Sequence, residues 1–435
     1  MKATRAVPCL AALLLAAPAA CGQSMFRGDA AHSGVYASSA PRELPRVKWS
    51  FPTGARIVSS PVLAEGLIVF GSDDGKVYAL DAHTGRQRWM HRTGGPVPST
   101  PAISGGVVYV VSYDGRLYAL ELASGEPVWT YASGGERRFE ARGLHGLQPR
   151  QQTIADAFDV FLSSPVVGQG MVFFGSGDGR LHAVDAATGA ARWTFATGDV
   201  VHGSPALADG VLVVGSWDSR VYALDAATGR ERWRYQGGED PLLHNQVGFQ
   251  SSPAVADGVV YIGGRDSRLH AIDAATGQAR WSFATGTSWV ISSPAVARGR
   301  VIFGTSDSSE FHMLDARSGA ALVKQGAQAY MFSSPAVAGD VVLIGVLNGT
   351  LQARDFDSGR LLWSFTTEAA RRNRGWVLTA EGAFNGPMIY ATDWREAALA
   401  ATELQFSVGS FFSSPLVADG VIYVGSADGR MLALQ

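Results

Sequence analysis

A recurring segment of the chain first reads Ala79-Leu-Asp81-Ala-His-Thr84-Gly85-Arg-Gln-Arg-Trp89. Its pattern, A-x-D-x-x-T-G-x-x-x-W, returns unchanged at residues 183–193, 223–233 and 271–281. Softer copies occupy residues 119–129 and 353–363, and a weaker copy at 313–323 lacks the tryptophan. The copies follow one another at intervals of about 40 residues or more, a period typical of propellers and solenoids. The chain is therefore built from repeated structural units.

A second marker, Ser-Ser-Pro or a near variant, accompanies the first. Its proline stands at positions 61, 101, 165, 205, 253, 294, 335 and 415, which makes eight copies. Each unit also carries four short runs of alternating or β-branched residues separated by Gly and Asp turns, as in residues 210–235. Four short strands per unit are the signature of a propeller blade. The sequence predicts an all-β fold, an eight-bladed β-propeller of four-stranded antiparallel blades.

The two ends of the repeat region complement each other. The chain stops at Arg430-Met-Leu-Ala-Leu-Gln435, before the T-G turn and tryptophan of its unit, while residues 46–51 contain Trp49 without preceding strands. We expect these strands to pair and close the ring, which removes free sheet edges. Residues 369–410 make the segment between two units about 40 residues longer than usual. They form either an insertion or a divergent ninth blade, because their turn and strand spacing resembles that of a blade.

The first twenty residues read as a secretory signal peptide. Lys2 and Arg5 precede an apolar run at residues 10–17, which is too short to span a membrane as a helix. Cys21 follows at the position of a lipidated cysteine in bacterial lipoproteins, although Pro18 stands where that signal has Leu. Ordinary cleavage near residues 17–19 is the alternative. The predicted organisation is a signal peptide at 1–20, a lead-in at 21–45 and one propeller domain at 46–435.

Composition excludes several classes of protein. The 435 residues include 36 Lys and Arg against 38 Asp and Glu, so the formal net charge is −2. A nucleic-acid binder usually shows a strongly basic domain, so we expect no nucleic-acid partner. Hydrophobic residues make up 46% of the chain, which excludes intrinsic disorder. Beyond the signal peptide no stretch is long and apolar enough to span a membrane, so membrane contact is expected only through a lipid anchor.

The A-x-D-x-x-T-G-x-x-x-W segments resemble the tryptophan-docking motif of propellers of the pyrroloquinoline quinone (PQQ) type. The resemblance extends over nearly all of residues 45–435 and implies the fold strongly and the function weakly. It implies a structural docking role for seven tryptophans: Trp49, Trp89, Trp129, Trp193, Trp233, Trp281 and Trp363. The family includes calcium- and PQQ-dependent alcohol dehydrogenases as well as non-enzymatic, BamB-like lipoproteins of outer-membrane assembly.

Function in a ring of repeats is expected where the repeat is broken. The loops that join each tryptophan strand to the next Ser-Ser-Pro strand emerge on one face, and the loop after Trp129 is the longest in the first five units. Polar groups beside an aromatic side chain are typical of a small-ligand or partner site. We therefore expect a polar funnel for a ligand or partner, formed by His145, Asp159, His202, His244, Asn245, Gln246, Gln250 and Trp289.

Three functions remain open at this level. The first is an exported, non-catalytic scaffold at the periplasmic side of the outer membrane, without cofactor or metal, that binds protein partners of the cell envelope. The second is a dehydrogenase with PQQ and calcium, whose adjacent-cysteine disulfide cannot form in a mature chain that keeps only Cys21. The third is a soluble propeller that binds a small ligand or polymer. We expect the first and no catalytic residues.

Overall fold

The structure is a computed structural model that describes residues 24–240, 247–389 and 394–435. Eight sheets form eight blades, each with four antiparallel strands, as the sequence predicts; one blade gains a fifth, parallel strand. In each blade a short strand a lines the tunnel, strands b and c follow, and strand d lies at the rim. The loops between strand d and the next strand a lie on the face that we call the top. The a–b and T-G turns lie on the bottom.

The strand bounds repeat closely from blade to blade. Blades 1 to 4 comprise Val62–Ala64, Leu67–Ser72, Lys76–Asp81 and Gln87–Arg92; Ala102–Ser104, Val107–Ser112, Arg116–Glu121 and Pro127–Ala132; Val166–Gly168, Met171–Ser176, Arg180–Asp185 and Ala191–Ala196; Ala206–Ala208, Val211–Gly215, Arg220–Asp225 and Glu231–Gln236. Blades 5 and 6 comprise Ala254–Ala256, Val259–Gly264, Arg268–Asp273 and Ala279–Ala284; Ala295–Ala297, Arg300–Gly304, Glu310–Asp315 and Ala321–Gly326.

The last two blades involve the N-terminal part of the chain. Blade 7 comprises Ala336–Ala338, Val341–Val346, Thr350–Asp355 and Leu361–Thr366, with Val35–Tyr36 added in parallel to its strand a. Blade 8 comprises Leu416–Ala418, Val421–Ser426 and Arg430–Leu434, with Val47–Pro52 as its strand d. The remaining elements are the strand pair Glu140–Arg142 and Thr153–Ala155, the 3-10 turns Phe26–Gly28 and Leu144–Gly146, and the helices α1 Glu368–Arg372, α2 Gly386–Ile389 and α3 Arg395–Ser407.

The docking tryptophans connect neighbouring blades. The indole nitrogen of Trp89 donates to the carbonyl of Leu122 in the next blade at 2.7 Å. Gly125, at φ +75°, lies against the same ring, where an added Cβ would come within 2.6 Å of the indole. Only glycine therefore fits at this turn. The same indole-to-carbonyl bond recurs at Trp49, Trp129, Trp193, Trp233, Trp281 and Trp363.

The second marker forms a ring around the tunnel. In each blade the backbone N–H of its second residue donates to the hydroxyl of the equivalent residue in the next blade, at 2.9 to 3.2 Å. The eight bonds close on themselves, because Ser414 of blade 8 donates to Ser60 of blade 1. This explains why each unit needs a small hydroxyl residue there. The ring members are Ser60, Thr100, Ser164, Ser204, Ser252, Ser293, Ser334 and Ser414.

The lead-in crosses the bottom end of the tunnel. Its carbonyl oxygens accept hydrogen bonds from strand a of several blades, for instance from Leu207 to Ala30 and from Val337 to Gly34. The side chain of Arg27 is buried there and donates to the carbonyl of Pro335 at 2.5 Å. The lead-in therefore covers the lower ends of the innermost strands.

Residues 369–410 do not form a ninth blade. Their described part contains the three helices, of which α3 is the longest. The sequence of α3 is rich in Ala, Leu and Glu, which favour helix over strand. The alternative of a divergent blade is therefore wrong, and the excess is a helical insertion. In the described parts of the chain, no helix has the length and hydropathy needed to cross a membrane.

Candidate functional site at the tunnel mouth

Two insertions cover the top end of the tunnel. One is the arm, residues 136–159, which follows blade 2 and contains the strand pair Glu140–Arg142 and Thr153–Ala155. The other is the helical insertion, residues 368–407. They meet at a parallel β-bridge between Gln148 and Trp394. The site is therefore assembled from blade loops below and two insertions above.

The structure brings five of the eight expected site residues together at this mouth. They are His145, Asp159, His202, Gln250 and Trp289, which are linked directly or through shared partners. The other three, His244, Asn245 and Gln246, lie outside the described residues. The arrangement differs from an open funnel, because the arm covers the loops and leaves His202 only 1% exposed. A ligand or partner role for these residues stays a prediction.

His202 lies between two buried carboxylates, those of Asp159 and Glu136. Its Nδ1 lies 2.8 Å from Asp159 Oδ1, and its Nε2 lies 3.6 Å from Glu136 Oε2. Burial alone would lower the pKa of His202, but the carboxylates of Asp159 and Glu136 outweigh it and raise the pKa to about 10. Asp159 also accepts the backbone N–H of Phe139 at 2.7 Å. At neutral pH His202 is therefore a cation that holds the arm to the propeller.

Arg265 forms a second buried pair with the arm. Its Nη1 lies 2.5 Å from Asp156 Oδ2, and both side chains are buried. Gln250 supports it, because Gln250 Oε1 accepts from Arg265 Nη2 at 2.7 Å while its amide nitrogen donates to the carbonyl of Phe158. Burial pushes the pKa of Asp156 upward, yet Arg265 and His145 hold this pKa well below its usual range.

Aromatic rings surround the Arg265 guanidinium. Its central carbon lies 4.4 Å from the ring centres of both Trp217 and Trp289, a distance typical of cation–π contacts. Phe139 of the arm stacks on Trp217, with ring centres 4.4 Å apart. His145 lies 5.5 Å from Trp289, whose indole nitrogen donates to Asp240 at 2.7 Å. The arm therefore inserts both carboxylates and rings into this cluster.

Phenylalanine side chains fill the mouth beneath the charged pairs. Phe158 of the arm contacts Phe332 and Phe406, and Phe406 packs edge-on against Phe412 at 4.8 Å. Below them, Phe332, Phe412 and the hydroxyl ring line a pocket of about 30 Å³ among the described residues. A cavity of that size has room for about one water molecule.

The PQQ group that the sequence resemblance offers as an alternative does not fit the described residues of the tunnel mouth. A small-molecule site usually offers a cavity of about 300 Å³ or more, whereas the pocket that the described residues form inside the tunnel, around the hydroxyl ring, encloses about 30 Å³. The indole rings on which a flat quinone could stack are already covered. Phe139 and Arg265 cover Trp217. Arg265 and His145 cover Trp289. Among the described residues, no three His, Cys, Asp or Glu side chains are placed to hold a metal ion.

Two central residues, Trp217 and Arg265, were not expected from the sequence. Each occupies the position before the Asp of the turn between strands b and c, which faces the tunnel mouth; the turn reads Gly-Ser-Trp-Asp at residues 215–218 and Gly-Gly-Arg-Asp at residues 263–266. The equivalent residues elsewhere include Asp73, Gly177 and Ala427. An alignment of the eight units at this turn would have identified the position as the one where otherwise similar blades differ.

Comparisons with known proteins agree with this fold. The family model described as outer membrane protein assembly factor BamB matches residues 31–159 and 146–288. A search of curated protein sequences returns no match. The structure of BamB from Moraxella catarrhalis is similar, with a TM-score of 0.65 at 17% identity over 90% of this chain and 100% of that one.

Two solved dehydrogenases share the architecture as well. A europium-containing methanol dehydrogenase has a TM-score of 0.66 at 14% identity, over 95% of this chain and 98% of that one. The quinohemoprotein alcohol dehydrogenase from Comamonas testosteroni has a TM-score of 0.68 at 14% identity, over 95% of this chain and 80% of that one. Such identities establish the fold alone, whereas the family match spans more than half of the chain. The chain belongs to the family of the outer membrane protein assembly factor BamB.

Proposed function

We propose that this protein is an exported, non-catalytic propeller that acts as a protein-interaction scaffold in the cell envelope, similar to BamB in outer-membrane assembly. The observation that carries the proposal is the filled tunnel mouth, where the chain's own side chains occupy the place in which a substrate or cofactor would bind. The outer surface of the two insertions then presents the groups available to a partner.

Large aromatic side chains support a partner surface on the helical insertion. Trp376 is 53% exposed and Trp394 is 57% exposed, although tryptophan is usually buried. Arg371, Arg372 and Arg374 lie next to Trp376 in the chain and are also exposed. Trp and Arg are the side chains most enriched at the energetic centres of protein interfaces. We infer that the partner contacts this surface through Trp376 and the neighbouring arginines.

The location follows from the first residues of the sequence. The signal peptide directs export, and lipidation of Cys21 anchors the mature protein to the periplasmic side of the outer membrane. These positions lie outside the described residues. A dehydrogenase with PQQ and calcium, or a soluble propeller that binds a small ligand or polymer, would be the alternative.

Site-specific photo-cross-linking in cells tests the proposal. A photoreactive amino acid at position 376 should cross-link to an envelope protein, whereas the same group at the exposed bottom-face residue His83 should not. Identical patterns from both positions would contradict a partner surface on the helical insertion. The absorption spectrum of the purified protein with added PQQ and Ca²⁺ tests the enzymatic alternative, because a saturable quinone-dependent change would contradict the scaffold role.

A further inference from the structure

The arm enters the tunnel mouth through one tight turn, Asp156-Ala-Phe-Asp159. The N–H of Asp159 donates to the carbonyl of Asp156 at 3.3 Å, and the N–H of Phe158 donates to Asp156 Oδ1 at 2.8 Å. We call these four residues the plug. Two carboxylates and one phenyl ring of the plug make the contacts with Arg265, His202 and the phenylalanines below.

The surface that receives the plug is formed by the b–c turns of blades 4 and 5 and by the loops between blades 3 and 4, 4 and 5, and 5 and 6. Three of its five residues place N–H groups against the plug, and two of these three are cationic. We call this set the receptor surface: His202, Trp217, Gln250, Arg265 and Trp289. Its chemistry selects a segment with carboxylates to pair with the two cations and a ring to fit among the aromatic side chains.

The plug leaves part of the receptor surface unsatisfied. The indole nitrogen of Trp217 and Nε2 of His202 are buried and have no hydrogen-bond partner among the described residues. Glu136 Oε2, at 3.6 Å from His202 Nε2, is too distant for a normal hydrogen bond. Buried donors without acceptors cost free energy. A segment that brought further acceptors to these two nitrogens would therefore fit the receptor surface better than the plug does.

We propose that the plug is exchangeable, and that the receptor surface binds an acidic, phenylalanine-containing turn of a partner protein in its place. The inference rests on the proposed scaffold function and names the segment that the top face recognises. The partner's carboxylates take the positions of Asp156 and Asp159 beside Arg265 and His202, and its phenyl ring takes that of Phe158. The closed arm then acts as an internal competitor that lowers the affinity for the partner.

A synthetic peptide with the sequence of residues 153–161 serves as the probe. Fluorescence anisotropy should detect weak binding to the Cys21→Ser protein and binding at least about fivefold tighter to its Asp156→Asn variant, because the weakened plug opens more often. A peptide with Asn in place of both Asp residues should not bind. The matched control Glu140→Gln removes an exposed carboxylate from the same arm and should leave the affinity unchanged.

An engineered disulfide between the arm and the helical insertion provides a second, reversible test. Gln148 and Trp394 form an isolated parallel β-bridge, and backbones paired in this way lie about 4.8 Å apart, within the range that a disulfide spans. Cysteines at both positions in the Asp156→Asn variant should abolish peptide binding when oxidised and restore it when reduced. A folded Asp156→Asn variant that binds the peptide no better than its parent, or equal binding in both redox states, would overturn the exchangeable plug. These measurements use purified protein and test only the exchange of the plug. The scaffold role is tested separately by the cross-linking experiment in cells.

Discussion

The indole nitrogen of Trp363 donates to the backbone carbonyl of Pro41 at 3.0 Å, across 322 positions of the chain. In the other blades that carry a docking tryptophan, the acceptor lies at the end of strand c in the next blade. In blade 8 strand d is Val47–Pro52, from the N-terminal part of the chain, so no turn joins its strand c to its strand d. The lead-in therefore supplies, through Pro41, the docking carbonyl that this turn provides in the other blades.

Replacing Trp363 by Ala should destabilise the protein strongly. Trp363 is 6% exposed, so its removal leaves a cavity between blades 7 and 8 and an unpaired carbonyl at Pro41. Truncation of a buried tryptophan costs about 3–5 kcal/mol. Urea unfolding should show this loss, whereas Trp376→Ala, at an exposed position, should change the free energy of unfolding by less than about 0.5 kcal/mol. Equal effects of the two changes would contradict the docking role.

The repeat explains how much of the fold is predictable. Each unit buries its strands against the next, so the hydroxyl marker recurs eight times and the turn glycine seven times. Together they reveal the blade and the ring closure through Trp49 and Ala433. The sequence indicated an insertion or a ninth blade at residues 369–410 but not the helices, because this segment occurs once and its weak spacing resembled that of strands. Its Ala-rich helix α3 carried the better signal, namely intrinsic helix propensity.

The candidate site was predictable only in part. Loop position alone placed His202, Asp159 and Trp289 on one face, because all loops after strand d emerge there. Their burial depends on how the arm folds back over them, and a unique arm has no repeat to reveal its contacts. The pairing of Asp156 with Arg265 joins residues from the arm and blade 5, a relationship that sequence periodicity does not contain.

Replacing Gly125 by Ala should weaken the contact between blades 1 and 2. A Cβ there lies within 2.6 Å of Trp89, so the indole must shift, at an expected cost of about 1–3 kcal/mol for overpacking. Gly106→Ala is the matched control, because Gly106 has φ +76° and nothing within 4 Å of its added Cβ. Both changes carry the left-handed backbone penalty of roughly 1–2 kcal/mol. Equal melting temperatures for the two variants would show that the glycine is not required by the tryptophan.

Lipidation of Cys21 stays a prediction from the sequence and has a direct test. Cells grown with radioactive palmitate should label the native protein and retain it in the membrane fraction. The Cys21→Ser variant should lose the label and appear in the soluble fraction, since no other cysteine remains after removal of residues 1–20. Equal labelling of both forms would exclude a lipid anchor at this position.

The ion pair between His202 and Asp159 makes the free energy of unfolding decrease as the pH rises above about 6.5. The pKa of His202 is raised to about 10 in the folded protein, against about 6.5 in an unfolded chain. A raised folded-state pKa means that the folded protein binds the proton more tightly than the unfolded chain does. The stabilisation that protonated His202 gives the folded state is therefore fully present below a pH of about 6.5. It is lost progressively as the pH rises from about 6.5 to 10, where the folded protein also releases the proton.

Replacing His202 by Gln should therefore remove a pH-dependent part of the stability. The free energy of unfolding of the native protein should fall between pH of about 7 and 10, because deprotonated His202 leaves Asp159 and Glu136 buried without their cation. The His202→Gln variant should be less stable at pH 7 and should show a flatter profile, since glutamine does not titrate. Urea unfolding at several pH values measures both slopes. Parallel profiles for the two proteins would mean that His202 does not carry the charge that holds Asp159 and the arm in place.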